Sequence, residues 1–95
     1  MNLSDLLTFD LELLFRDSVS EEILGKYLPW NHMTVLNTMH DLGYGHTSNL
    51  LTDHSKFNVK FTKLFNNEMQ MPSAEDVSFD RAVLLAALRT LKIGN

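Results

Sequence analysis

The only side chains of this chain that titrate near neutral pH are four histidines, His32, His40, His46 and His54. No two of them stand four apart around a glutamate, the spacing that marks a helical zinc protease site. His40, His46 and His54 could gather with Asp41 and Asp53 only if the segment 43–52 folded back on itself. There are no cysteines, so thiolate metal sites, disulfides and cysteine nucleophiles are all excluded. The sequence therefore predicts surface histidines, no bound metal and no cofactor. Catalysis is not expected either. Asp10 and Glu12 are two apart, which puts them on different sides of a helix, and Gly43-Tyr44-Gly45 lacks the third glycine of a dinucleotide loop. A bundle of this size has little room for a substrate pocket of about 300 Å³ or more.

Lys56, Lys60 and Lys63 fall at i, i+4 and i+7, a basic stripe if the segment is helical. A helix–turn–basic helix would invite comparison with helix-turn-helix nucleic-acid binders. The connection from Gly43 to Thr52 is longer than their usual three or four residues. The start of the second helix offers Asp53, His54 and Ser55 rather than base-reading side chains. Three lysines on phosphates would give a salt slope of only about −2.7. Nucleic-acid binding through Lys56, Lys60 and Lys63 is thus the alternative reading, and a solvated face the simpler one.

Charge is more informative. The net charge is −4, yet residues 1–53 hold eight acids against two bases, −6, while residues 54–95 hold six bases against four acids, +2. Such a chain can present its acidic half to a basic partner or dock against a copy of itself. Asp10, Glu12 and Asp17 are the residues expected to steer that encounter.

These residues need elements to hold them. The 95 residues, 44% apolar and 21% charged, suit one domain spanning 1–95 with a single core. Leu3, Leu7, Leu11 and Leu14, with Leu6 and Leu13 beside them, recur at helical spacing, although Phe9 to Leu13 also alternates as a half-buried strand would. Ser18 to Glu21 has the form of a capping box, opening a short helix that stops before Pro29. Asn31 is a good N-cap, Trp30 and Val35 can staple the next helix, and Gly43 supplies its left-handed end. After a polar connection over 45–51, Phe57, Phe61, Leu64 and Phe65 predict a fourth helix over 53–67. Met69 and Met71 then sit in a loop that reaches Ser73. A last helix begins at Ser73 or Ser78 and runs to about Lys92. The expected fold is all-α, a small orthogonal bundle of about five helices.

The last helix is apolar almost all round, with Leu85 interrupting the polar stripe of Arg81, Arg89 and Lys92. Such a helix is either the central core element or one shared with another chain. On the second alternative Leu85, flanked by Arg81 and Arg89, would make an apolar contact with a partner or with a second copy in a homodimer. The longest apolar run, Val83–Leu88, is far short of the roughly twenty residues of a membrane span. With no cationic start leading into an apolar block, the expected location is cytoplasmic.

In size and charge, though in no motif, the chain resembles small acidic regulators that occlude a larger protein, such as phage-encoded inhibitors, anti-sigma factors and immunity proteins. That likeness implies a non-enzymatic protein-binding module acting on a basic surface. A structural subunit of a larger assembly is the third reading.

Overall fold

A computed structural model describes residues 2–51, 55–63 and 72–93. A 3₁₀ turn, Leu3–Asp5, leads into α1 (Thr8–Ser18), α2 (Glu21–Leu24) with a 3₁₀ extension over Gly25–Tyr27, and α3 (Thr34–Asp41). Three strands follow, β1 (Tyr44–Leu51), β2 (Lys56–Lys63) and β3 (Ser73–Asp76), and then α4 (Phe79–Thr90). The strands form one antiparallel sheet in the order β1-β2-β3. The architecture is α+β, which corrects the expected all-α bundle.

Several helix ends stand where side-chain chemistry predicts them. The Ser20 hydroxyl accepts from the Glu22 amide and opens α2, whereas Ser18 stays inside α1 and donates to the Leu14 carbonyl. Thus the cap is Ser20 and the box from Ser18 to Glu21 is not made. Asn31, expected as the N-cap of α3, falls short of the helix: its Oδ1 accepts from the Met33 amide, and Met33 itself occupies the N-cap without a side-chain bond. Gly43, at φ +97°, ends α3 in the left-handed region that favours glycine. Ser78 caps α4 by accepting from the Arg81 amide, and is itself oriented by Asp76, whose carboxylate accepts from the Ser78 amide.

The segment expected to be a fourth helix is β2. Phe57 and Phe61 are four apart, which suits one face of a helix and equally one face of a strand. Strict alternation decides the matter: Phe57, Val59 and Phe61 point inward, and Lys56, Asn58, Lys60 and Thr62 outward, with Val59 and Phe61 fully buried. Each residue of β2 from Lys63 back to Lys56 pairs with β1 from Tyr44 to Leu51, so the expected polar connection is an edge strand. Ser73 to Asp76 pairs with the other side of β2. The remainder of the expected fourth helix, with Leu64 and Phe65, and the loop expected to carry Met69 and Met71 lie outside the described residues.

α4 is the centre of the molecule. It lies across the inner face of β2 and β3, and α1 and α3 pack against it as well. Every residue from Ala82 to Leu88 is buried, joined in one core by Leu11 and Phe15 of α1, Val35, Leu36 and Met39 of α3, and Val59, Phe61 and Ala74 of the sheet. Three alanines among those seven positions let neighbouring backbones approach closely while the leucines fill the gaps. Among the described residues no helix is long and apolar enough to cross a membrane.

Candidate protein-docking site

The central position of α4 settles what its apolar surface does. Leu85 is 1% exposed and has no surface to offer a partner or a second copy. Arg81 faces inward too. Its Nε donates to Asp76 at 3.2 Å, Nη1 to the Thr8 hydroxyl at 3.3 Å, and Nη2 to the carbonyls of Ser4, at 2.9 Å, and Leu6. Arg89 donates to the Ser73 carbonyl at 3.0 Å and ties the end of α4 to β3. The trio Arg81, Leu85 and Arg89 is therefore structural: one clamps the N-terminal segment, one fills the core and one fastens a strand.

The surplus apolar surface lies on α1 instead. Leu11 and Phe15 turn inward and are fully buried, which leaves the opposite side of the helix to solvent. There Phe9 and Leu13 stand one turn apart, 66% and 41% exposed, and Leu7, just before the helix, is 73% exposed. Asp17 occupies the next place in the Phe9–Leu13 row, Asp10 lies beside it, and both are exposed. Glu12 and Arg16 flank the other side. The Arg16 guanidinium stacks over the Trp30 ring at 5.0 Å, and Trp30 meets Phe15 edge-on at 6.3 Å. That stacking holds the one cation of α1 on the flank, so the outward ridge carries apolar side chains and carboxylates.

Two hollows adjoin the ridge. A cleft of about 270 Å³ lies at the first half of α1, with Thr8 and Glu12 on one wall, Asp80 and Ser78 of the α4 start on another, and Trp30 and His32 closing it. A wider depression of about 450 Å³ lies at the other end, lined by Arg16, Asp17, Glu21, Leu24 and Leu28. Each hollow contains two carboxylates. The arrangement can accept a partner that brings an apolar groove over Phe9 and Leu13 and cationic side chains to either side.

The remaining sequence candidates lie elsewhere. Lys56 and Lys60 are on the outer face of β2, and Lys63 is at its end opposite Tyr44, so the basic helix expected of a nucleic-acid reader is replaced by a strand. α3, Thr34 to Asp41, contains no lysine or arginine and buries five of its eight residues. His32 lines the cleft, His40 is exposed near the end of α3, and His46 of β1 faces Phe61 at 6.3 Å between ring centres. His54 lies outside the described residues. Among the described residues no three His, Asp or Glu side chains are placed to hold a metal ion.

One polar pair shifts its titration. Asp41 is held below the ordinary carboxylate range, first by the Tyr27 hydroxyl as hydrogen-bond donor and then by Lys26, 3.4 Å away. The same contact raises the Tyr27 phenol, because losing its proton would set two negative charges side by side. Both groups are on the surface and make a structural tie between the α2 extension and α3.

Sequence reasoning placed Asp10, Glu12 and Asp17 on the acidic half but did not find Phe9 as the centre of the ridge. The available signal was an excess: α1 has more large apolar residues than one buried stripe can use. Comparison with known protein families, curated proteins and solved structures finds no match for this chain.

Proposed function

We propose that this chain is a non-enzymatic protein-binding module that lays the α1 ridge on a basic-rimmed apolar groove of a larger protein and blocks what that groove otherwise binds. The supporting observation is the exposure of Phe9 and Leu13, one turn apart on the outward side of α1, with Asp10 and Asp17 beside them and Leu7 exposed just ahead of the helix. Burying each such side chain fully is worth about 1.5–3 kcal/mol, so these part-exposed ones represent a driving force for association. The carboxylates add attraction at long range and raise the rate of encounter more than the final affinity. A partner with a neutral or acidic rim would lose that steering.

The test compares three forms of the protein as bait in a lysate of its source cells at low and at raised salt. Phe9→Ser combined with Leu13→Ser removes the ridge, Asp10→Lys combined with Asp17→Lys inverts the rim, and Lys56→Ala combined with Lys60→Ala is the control on the sheet. All the changes are outward, so circular dichroism and the urea midpoint should stay close to those of the unmodified chain. The expected result is a partner held by the unmodified and control forms, weakened by salt, and lost from both α1 variants. A partner retained by both α1 variants, or lost only with the sheet lysines, overturns the proposal.

A further inference from the structure

The sheet has two edges of very different character. β3 is four residues long, follows Pro72, and carries Glu75 and Asp76. Short length, a proline and charged side chains are the usual means of keeping an edge from pairing with another chain. β1 has none of them. It is eight residues long, Tyr44 to Leu51, without lysine, arginine, aspartate, glutamate or proline. Among the described residues no backbone hydrogen bond leaves its outer edge. The residues 46–50 are all exposed: Thr47 and Asn49 lie on the outer face, and His46, Ser48 and Leu50 lie on an inner face that α4, packed over β2 and β3, leaves open. Leu50, on that inner face, is 58% exposed.

We propose that β1 is a homodimerisation edge, on which a second copy of the chain adds its own β1 antiparallel to make one continuous six-stranded sheet. Symmetry limits the register. A two-fold axis normal to the sheet keeps the inner faces of both copies on one side, so residues opposite each other must share a face. The pairing that places Thr47 opposite Thr47 of the second copy also places Leu50 opposite Tyr44, twice, and His46 opposite Ser48, twice. Each exposed Leu50 thereby gains an aromatic cross-strand neighbour on the open inner face. No like charges meet across the axis, since β1 has no acidic or permanently basic side chain. That neutrality points to a second copy rather than a charged peptide, which would find no complementary charge on this strand. The main chain supplies the affinity and the Leu50–Tyr44 pairs set the register. This surface is separate from the α1 ridge, and a dimer would carry two such ridges.

The cysteine-free sequence makes the test direct. Thr47→Cys introduces a single thiol that the two-fold axis sets opposite its own copy, within the range a disulfide can span. Mild oxidation is expected to convert it to a covalent dimer, while Glu75→Cys on the β3 edge stays monomeric. In sedimentation equilibrium the unmodified chain is expected to show a monomer–dimer equilibrium. Thr47→Lys, which opposes two cations across the axis on a solvent-facing position, is expected to lose the dimer with unchanged circular dichroism. Cross-linking of Ser48→Cys in preference to Thr47→Cys would overturn the register. An unmodified chain that sediments as a monomer at its highest soluble concentration, or a dimer that persists in Thr47→Lys, would overturn the proposal.

Discussion

Replacing Arg81 by alanine should be the most damaging change to any charged residue described in this structure. Its guanidinium gathers Asp76, the Thr8 hydroxyl and the carbonyls of Ser4 and Leu6, four partners drawn from two distant parts of the chain. A hydrogen bond to a charged group is worth about 1.5–3 kcal/mol when its partner is left unsatisfied. The four share one side chain, so their effects do not add. Ser4 and Thr8 can also turn to water, whereas the bonds to Leu6 and Asp76 are part-buried. A loss of about 2–4 kcal/mol follows, against a total of about 5–14 kcal/mol for a domain of this length. With a urea slope of about 1–3 kcal/mol per molar, the midpoint should fall by about 0.7–4 M. Arg89→Ala is the comparator, since its single bond to the Ser73 carbonyl is exposed and should be worth about 1 kcal/mol or less. Amide hydrogen exchange over residues 3–8 should accelerate selectively in Arg81→Ala, because the clamp adds a polar tie to the packing of Leu3 and Leu6 that holds that segment on the core. Unfolding free energies for Arg81→Ala and Arg89→Ala that agree within about 0.5 kcal/mol would refute the reasoning.

Two other outcomes can be checked in the same way. Thr38 is buried in α3 and its hydroxyl has no hydrogen-bond partner among the described residues; Thr38→Val keeps the shape, removes the unpaired group and should stabilise the fold by about 1 kcal/mol, so a marked loss of thermal stability would show that the hydroxyl is bonded after all. Because the folded state depresses the Asp41 pKa, the stability it contributes is present above the ordinary aspartate value near about 4 and fades as pH falls through the depressed value. Tyr27→Phe removes the largest cause, so the Asp41 carboxyl signal should titrate at higher pH in that variant; an unchanged curve would mean that the two side chains do not touch.

Much of the helical half could be read from residue order. Ser78 and Gly43 act through bonds and dihedral preferences that span a few residues, so their roles are local and visible in the chain itself. The apolar circumference of α4 likewise announces a helix surrounded on several sides, and the structure surrounds it within one copy. The candidate site was half legible. Asp10, Glu12 and Asp17 stand out by charge, but which side of α1 faces solvent depends on where Leu11 and Phe15 find neighbours, and those neighbours come from distant segments.

The sequence by itself determined the end of α3 at Gly43 and the start of α4 at Ser78, that the N-terminal half is acidic, and that α1 and α4 are too apolar to be surface elements of the ordinary kind. Only the tertiary structure decided that 56–63 is a strand. Phe57 and Phe61 satisfy both periodicities, and a strand is stabilised by partners that the local sequence does not contain. β1, with glycine, serine and asparagine among its eight residues, has little preference of its own and is extended because β2 pairs with it from Tyr44 to Leu51. Once the sheet existed, α4 was covered, Leu85 went into the core, and the exposed apolar surface passed to α1 and to the open edge of β1. Helix signals are carried by neighbours in the chain, and sheet signals by neighbours in space.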